Sequence, residues 1–541
     1  MRFPSLTIIL LSLTLLTILI PPSLLSPLET KRLLMIIFPG GTSHHFVIKS
    51  LFDYTVSHQD KFTYEYHMII HNIDKKNWEA VSSHPNYHLY HYGDIAQCKE
   101  HLINSIAMFN SNPNFGFMNF NKGMKYHIKE FMESGILNKL KHIHFDTIGS
   151  DIPTYIQVIL AKELSIKNKI YISPPAIPQI LYRNFELNPS YTPAVGAKFL
   201  DEMSFKERIL NYIYQNAAKL IFTLFQKEQA NYVKSNYGYD VGTTIHFTDA
   251  LHFLQYPLGI AFPLSTPPNF VLLNAITPKD SLPMNQSDIN IDTFLSKYEH
   301  NVYLSQGTIM DIVDINKQIN VFKYFANKGN VGFVLSMRAD VLSESAIKQM
   351  PSNVYVTHWV NQNDLLGDER IKCFVTHGGI NSVAESIYHN KPMVVLGVGL
   401  DQINTAAYVK KKNIGITVQE QHLITEEFLV SSIEDILINN KEYVKRINVV
   451  NNVMKYSKDP KEEFKFWIDF GFANGYDALV IDTIKNGNWF IINGYDVQLV
   501  FVGVVVLFMY IIISIYRCLY WYFCAPCESK KGQKRKKHKF D

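Results

Sequence analysis

Cysteine is scarce in this chain: 541 residues hold five, and three of these, Cys518, Cys524 and Cys527, crowd beyond residue 517. Cys98 and Cys373 stand alone in what should be different domains, so no disulfide scaffold is implied, and burial of apolar surface must hold the fold. Cys524-Ala-Pro-Cys527 lacks the two further ligands that a zinc site needs, and juxtamembrane palmitoylation or no role at all is the better reading. Charge is thin as well, at 18% of residues against 47% hydrophobic, a balance that excludes disorder over most of the length. The formal charge of +4 is set by the end of the chain, where residues 528–541 carry seven Lys and Arg against two acids. The rest is close to neutral, which argues against nucleic acid as a partner. No G-x-G-x-x-G follows the first apolar strand, which sets aside a nicotinamide-dinucleotide site.

What is present begins with two long apolar runs. Arg2, the run from Leu6 to Ile20 and the Pro and Ser that follow read as a signal peptide over residues 1–26, with an uncleaved anchor as the alternative. Residues 497–516 (VQLVFVGVVVLFMYIIISIY) contain no charge and are long enough to span a bilayer. Arg517 and the basic tail over 517–541 follow, so the positive-inside rule predicts a single-pass type I protein with a cytosolic C-terminus. Lys537 and Lys539 match a KxKxx retrieval pattern, the favoured reading, with stop-transfer charge as the alternative. Asn285-Gln-Ser is a glycosylation acceptor if this region is lumenal.

Between these ends the length calls for two domains of roughly 200 to 250 residues each. LLMIIF at 33–38 and IKCFVT at 371–376 are short continuous apolar runs of the kind buried on both faces of a parallel sheet. IPTYIQVILAKEL from 152 and INSVAESIYHN from 380 read as helices, so strand and helix alternate in an α/β pattern. The Pro-rich stretch from Pro257 to Pro283 reads as the linker, with a boundary near Ala275. The expected domains are 27–275 and 276–490.

Two clusters carry chemistry. The strand ending at Thr376 turns through His377-Gly378-Gly379 into a helix, where glycines let backbone N–H groups approach a phosphate and the helix N-terminus adds partial positive charge. Ser43-His44-His45 follows the first strand, at the loop where an open α/β sheet presents ligands. Histidine suits general-base work near neutral pH. FDTIGSD at 145–151 offers Asp146 and Asp151 as carboxylates to orient it. Asp151 also reads as an N-cap for the helix beginning at Ile152, and Ser382-Val-Ala-Glu385 as a capping box.

The segment VYVTHWVNQNDLLGDERIKCFVTHGGINSVAESIYHNKPMVVLGVGLDQ at 354–402 resembles the donor signature of the UDP-glycosyltransferase family, specifically its membrane-anchored UDP-glucuronosyltransferase branch. PGGTSHHF at 39–46, FDTIGSD, NPSYTPAVGAKFLDEMSFKERILN at 188–211, YLSQGT at 303–308 and FWIDF at 466–470 are similar to family landmarks in the expected order. The resemblance implies a GT-B fold of two facing Rossmann-like domains, acceptor-binding then UDP-sugar-binding, with a C-terminal helix crossing back onto the first and a transmembrane helix beyond. It aligns His44 with the catalytic base and Asp151 with its partner. Gly307, Thr308, His377, Gly378, Gly379, Asn381 and Ser382 fall at diphosphate positions, Trp359 at the uracil, Gln362 and Glu385 at the ribose, and Asp401-Gln402 at the sugar hydroxyls. Asn361 stands where the family usually has Pro, which is expected to loosen the uracil loop, and Gly397-Val398-Gly399 replaces Pro-Leu-Phe, which puts the sugar pocket's shape in question.

The implied activity is inverting transfer of a sugar, glucuronic acid foremost, from a UDP-sugar cosubstrate to a small lipophilic acceptor. The resemblance calls for no metal or other cofactor, and no Asp-x-Asp metal motif is apparent. The implied location is the endoplasmic reticulum membrane with lumenal catalytic domains; a homo-oligomer is compatible. Alternatives are UDP-glucose or UDP-galactose transfer to a sterol or sphingolipid, and a catalytically silent protein that binds a nucleotide or a partner.

Overall fold

The computed structural model describes residues 28–105, 113–174, 188–242, 245, 250–261, 264, 266–305, 307, 312–337, 343–480, 489–492 and 494–524. The expected signal peptide, Thr308, Cys527 and the KxKxx lysines lie outside the described residues. The chain divides into a unit up to Val480 and a second unit from Ile481.

The first unit contains two parallel sheets. The first has seven strands, β1 (Glu29–Ile36), β2 (Phe62–His71), β3 (Tyr87–Tyr92), β4 (Thr147–Ser150), β5 (Asn168–Ser173), β6 (Leu251–Gln255) and β7 (Phe270–Leu273), in the order β3-β2-β1-β4-β5-β6-β7. The second has six, β8 (His300–Ser305), β9 (Val331–Ser336), β10 (Val354–Thr357), β11 (Ile371–Thr376), β12 (Met393–Leu396) and β13 (Gly415–Val418), in the order β10-β9-β8-β11-β12-β13. In both, the order reverses beside the first strand. Each sheet therefore opens a crevice at the carboxyl ends of β1 and β4, or of β8 and β11, where such folds bind ligands.

Burial explains why the apolar runs become strands. Leu34 and Ile36 of β1 join one core with Ile148, Tyr171 and the helix Tyr155–Glu163, while Leu33, Met35 and Ile37 join the core on the opposite face. In β12, Met393 and Val395 enter one core, and Val394 and Leu396 the other. Period-two alternation between two dry faces is what a covered parallel sheet requires.

The helix Pro460–Asn474 returns to the first sheet, as the resemblance implied. Phe464 and Ile468 are fully buried in the core of β1 and β2, with Phe464 against Phe52. Burial at this level stabilises by about 1.5–3 kcal/mol per side chain. Lys465 donates to Asp469 Oδ2 at 2.7 Å, and Tyr64 donates to Asp469 Oδ1, so the buried charges are paired.

Two expectations shift in detail. The stretch read as a linker contains β7, because Phe270-Val-Leu-Leu pairs in parallel with β6 and buries Val271 and Leu273. The helix expected from Ile152 starts at Tyr155, capped by Thr154, whose side chain accepts from Ile156 N. In the second unit, the helix Tyr495–Cys524 contains residues 497–516 and is long and apolar enough to cross a membrane.

Candidate active site

β1 ends in Pro39-Gly40-Gly41, and the chain turns there into the helix Thr42–Ser57. Gly40 adopts φ +80°, and a Cβ on it would lie 2.1 Å from Ile103 Cδ1, so only glycine fits this turn. His44 is thereby set in the first helical turn, with Nδ1 2.8 Å from Asp151 Oδ2. Asp151 directly follows β4, and its Oδ1 accepts from Phe38 N at 2.9 Å. The Asp151 side chain is 1% exposed and that of His44 15%. A carboxylate at Nδ1 holds the tautomer in which Nδ1 carries the proton and Nε2 has the lone pair. The pair therefore sits in the first sheet's crevice with a free basic nitrogen.

The neighbouring candidates are otherwise engaged. Asp146, at the start of β4, accepts from Arg32 N at 2.8 Å, on the end of the sheet away from His44. Buried His45 accepts the indole N–H of Trp78 at Nδ1, 2.7 Å away, and its Nε2 lies 3.3 Å from Asp74 Oδ2. An indole can only donate, so the His45 tautomer is fixed for packing. Asp151 is not an N-cap, since Thr154 has that role.

In the second crevice, β8 leads to Gly307 and β11 to His377-Gly378-Gly379. A Cβ on Gly307 would lie 2.7 Å from His377 Cε1, and one on Gly379 2.6 Å from His377 Nε2, so two glycines sandwich the imidazole. Burial lowers the His377 pKa to about 4, and its buried Nδ1 has no hydrogen-bond partner among the described residues. A neutral ring can donate one N–H to an anion without bringing in a full charge. Helix Ile380–Tyr388 begins there with Gly379 at its N-cap and no side-chain cap, leaving its first N–H groups open. Asn381, in its first turn, accepts at Oδ1 from Gln255 at the end of β6.

Behind this loop, Tyr303 donates to Gln362 Oε1 at 3.2 Å, and Gln362 Nε2 donates to Ser382 Oγ at 3.1 Å and Glu385 Oε2 at 2.7 Å. Burial pushes the Glu385 carboxyl up, opposed by the hydrogen bond from Gln362. The capping-box reading does not hold, because Ser382 lies inside the helix and Glu385 is turned to Gln362. Asn361 does not loosen its loop: its carbonyl accepts from Leu365 N at 3.0 Å, and its side chain donates to Asp364. Trp359 is 59% exposed, and its ring lies 5.6 Å from that of Phe46, two residues beyond His44.

Asp401 and Gln402 occupy the first turn of the helix Leu400–Lys411 rather than a loop. A Cβ on Gly399 would lie 2.8 Å from Gln402 Oε1, and one on Gly397 2.5 Å from Gln402 O. The two glycines let the helix start close against β12, which accounts for the departure from Pro-Leu-Phe. Burial pushes the Asp401 carboxyl up, opposed by a backbone hydrogen bond and by the nearby His44. The ring contact between Phe46 and Trp359, 5.6 Å from centroid to centroid, brings the two crevices opposite each other. One turn on, Asn404 Oδ1 accepts from Gly196 N at 2.8 Å, and Nδ2 donates to Ala194 O at 3.1 Å and Ala197 O at 3.4 Å. This latch ties the sugar-end helix to the segment 188–204, which Asn211 grips in turn through Ala194 N at 2.6 Å.

The expected site residues that are described thus gather around the carboxyl ends of the two sheets, and Thr308 lies outside the described residues. Trp78, Gln255 and Asn404 carry no sequence signal of their own and emerge only from contacts across the fold.

Comparison with known proteins agrees with this geometry. The family model described as UDP-glucoronosyl and UDP-glucosyl transferase (UDPGT) matches residues 61–531. UDP-glucuronosyltransferase 1A6 of Homo sapiens is 24% identical over 410 residues, 74% of each chain. UDP-glucuronosyltransferase 3A2 of Mus musculus is 26% identical over 364 residues, 63% of this chain and 65% of its own. Among solved structures, a UDP-glucose: anthocyanidin 3-O-glucosyltransferase in complex with UDP has a TM-score of 0.55 at 15% identity, covering 82% of this chain and 99% of its own. That likeness places the fold in the GT-B class. With two reversed-order sheets, a His-Asp pair in one crevice and a glycine-clasped histidine in the other, the chain belongs to the UDPGT family and is a glycosyltransferase that uses a UDP-sugar.

Proposed function

We propose that this enzyme transfers glucuronic acid from its UDP conjugate to a hydroxyl of a small lipophilic acceptor, with inversion at the anomeric carbon. The observation that carries the mechanism is the His44–Asp151 pair, 2.8 Å apart and held within electrostatic reach of Asp401. His44 Nε2 takes the acceptor proton, the oxygen bonds to the anomeric carbon from the face opposite UDP, and the bond to the diphosphate breaks. The imidazolium that forms is stabilised by Asp151. His377, the open N–H groups at Gly379 and Asn381 receive the diphosphate charge. Trp359 stacks on uracil, Gln362 and Glu385 bind the ribose, and Asp401 and Gln402 bind the sugar hydroxyls.

A lipophilic acceptor is supported by an apolar cluster beside the pair, which includes Phe38, whose N–H donates to Asp151, and Ile152, the next residue along. Phe38, Leu102 and Met124 are buried together, with Ile103, Phe120 and Ile152 partly buried against them. Glucuronic acid is supported by the names of the relatives. A second reading, transfer of a neutral hexose, is supported by the family description, which spans glucosyl transfer too. A donor competition in detergent-solubilised protein decides between them: UDP-glucuronate, UDP-glucose and UDP-galactose are offered with phenols, sterols and ceramide. A glucuronide supports the first reading and a hexoside the second.

The proposed location is the endoplasmic reticulum membrane, with the catalytic unit lumenal. Asn285 is exposed on the short helix Met284–Ser287, which makes its sequon accessible. Endoglycosidase-sensitive glycan that disappears in Asn285→Gln supports lumenal placement, and labelling of an Asn285→Cys variant by a membrane-impermeant maleimide added to the cytosolic side of intact microsomes contradicts it.

A further inference from the structure

A second constellation lies on the first sheet and takes no part in the transfer chemistry. Glu65 and His67 alternate on β2 and so point to the same face of the sheet. His88 of β3 stands directly opposite His67 in the parallel register. One ligand atom from each of Glu65, His67 and His88 lies within 4.8 Å of the others. β3 is the edge strand, so the cluster is open to solvent on one side, and His88 is exposed.

The decisive feature is His67. It is 4% exposed, its Nε2 is buried without a hydrogen-bond partner among the described residues, and that atom lies 3.9 Å from Glu65 Oε2. A buried imidazole nitrogen left unpaired is costly unless something fills its place. The other nitrogen is accounted for: Nδ1 is 3.0 Å from the Tyr90 hydroxyl. With the Nδ1 proton given to the Tyr90 oxygen, Nε2 presents a lone pair, which is how an outer partner orients a metal-binding histidine. Phe145 packs edge-on to the ring at 5.0 Å and fixes its plane. Glu65 is oriented in the same manner by Arg32, whose Nε donates to Oε2 at 2.6 Å and leaves Oε1 available.

We propose that Glu65, His67 and His88 form a divalent transition-metal site that clips the edge strand β3 to β2. Two imidazoles and one carboxylate suit Zn2+, with Cu2+, Ni2+ and Co2+ competing, and water completes the coordination. Binding draws each ligand atom to about 2.0–2.2 Å from the ion. His88 and Glu65 supply that movement, since both reach toward solvent while His67 stays fixed. The site is separate from the transfer chemistry: Glu65, His67 and His88 lie upstream of the carboxyl ends of β2 and β3, whereas His44 and Asp151 sit just beyond the carboxyl ends of β1 and β4.

The test uses the full-length protein in detergent, stripped with chelator and then titrated with Zn2+ and, separately, Cu2+. Bound zinc per chain, the Tm and the Cu2+ electron paramagnetic resonance spectrum are read for wild type, His88→Ala and Glu65→Gln. Both variants alter partly exposed side chains outside the transfer site, and retained glycosyl transfer verifies that they are folded. The expected result is one tightly held zinc per chain, a Zn2+-dependent rise in Tm and a copper signal with two nitrogen ligands. His88→Ala loses all three, and Glu65→Gln weakens binding at least tenfold. Absence of stoichiometric zinc in wild type overturns the proposal, as does a copper spectrum and Tm response unchanged in His88→Ala.

Discussion

Replacing Asp151 by Asn tests the catalytic pair more sharply than removing the side chain. Asp151 receives two donors, Phe38 N at 2.9 Å and His44 Nδ1 at 2.8 Å, one on each oxygen. An asparagine of the same shape has one oxygen and one NH2. If the NH2 faced Phe38, two donors would meet and a buried N–H would go unpaired, costing about 1–3 kcal/mol. The oxygen therefore stays on Phe38 and the NH2 turns to His44. Nδ1 must then accept, the ring proton moves to Nε2, and no lone pair faces the acceptor. Loss of the general base lowers kcat by about 100- to 10,000-fold, equivalent to about 3–5 kcal/mol of barrier. Asp151→Ala leaves the tautomer unrestrained and is expected to retain at least as much activity as Asp151→Asn. Initial rates of glycoside formation measure the effect, with UDP affinity by calorimetry and the Tm as controls, both expected to be unchanged within error. An Asp151→Asn enzyme that keeps more than a tenth of wild-type kcat would refute the tautomer argument.

Trp359→Ala removes the proposed uracil platform, and since base stacking is worth about 1–3 kcal/mol, UDP should bind about 5- to 150-fold more weakly in calorimetry; unchanged affinity would return Trp359 to a packing role against Phe46. Asn404→Ala removes three hydrogen bonds between the sugar-end helix and the segment 194–197. At about 0.5–1.5 kcal/mol each, their loss is expected to cut kcat more than UDP affinity, because it loosens the spacing of Asp401 and His44 while leaving the uracil end alone. Acid should destabilise the protein through His127, His377 and His389, whose pKa values are lowered from 6.5 to about 3, about 4 and about 4. Below pH 6.5 the unfolded chain takes up protons at these positions that the folded chain refuses, so stability is full above that pH and is lost as pH falls toward 4. Differential scanning fluorimetry is expected to show the Tm falling from pH 7 to pH 5, and a flat profile would contradict these burials.

What the sequence discloses follows the range of the forces involved. IKCFVT at 371–376 coincides with β11, since a short apolar run flanked by polar residues has no stable alternative to a doubly covered strand. His44 and Asp151 stand out in the sequence because Asp151 directly follows β4 and His44 opens the helix that follows β1, and the carboxyl ends of strands are where this topology presents ligands. β7 is hidden among prolines, because four apolar residues become a strand only when β6 offers an edge. The choice between His45 and His44 rests on Trp78, and the placement of the sugar-end helix on Asn404, each through a partner distant in sequence. The helix Tyr495–Cys524 exceeds the apolar run at both ends, because charge limits what enters a bilayer but does not end a helix. Gly397 and Gly399 depart from the family pattern in sequence, yet the close approach of Gln402 shows what they accommodate.

The most direct test of the account is the rate of glycoside formation by His44→Ala, measured with saturating UDP-sugar and acceptor beside UDP affinity in the same preparation. The account predicts product formation lowered at least 100-fold, in line with the loss of a general base, with UDP affinity unchanged and the Tm lowered only by the loss of the hydrogen bond from His44 to Asp151. Turnover within tenfold of wild type would contradict it and remove His44 as the base.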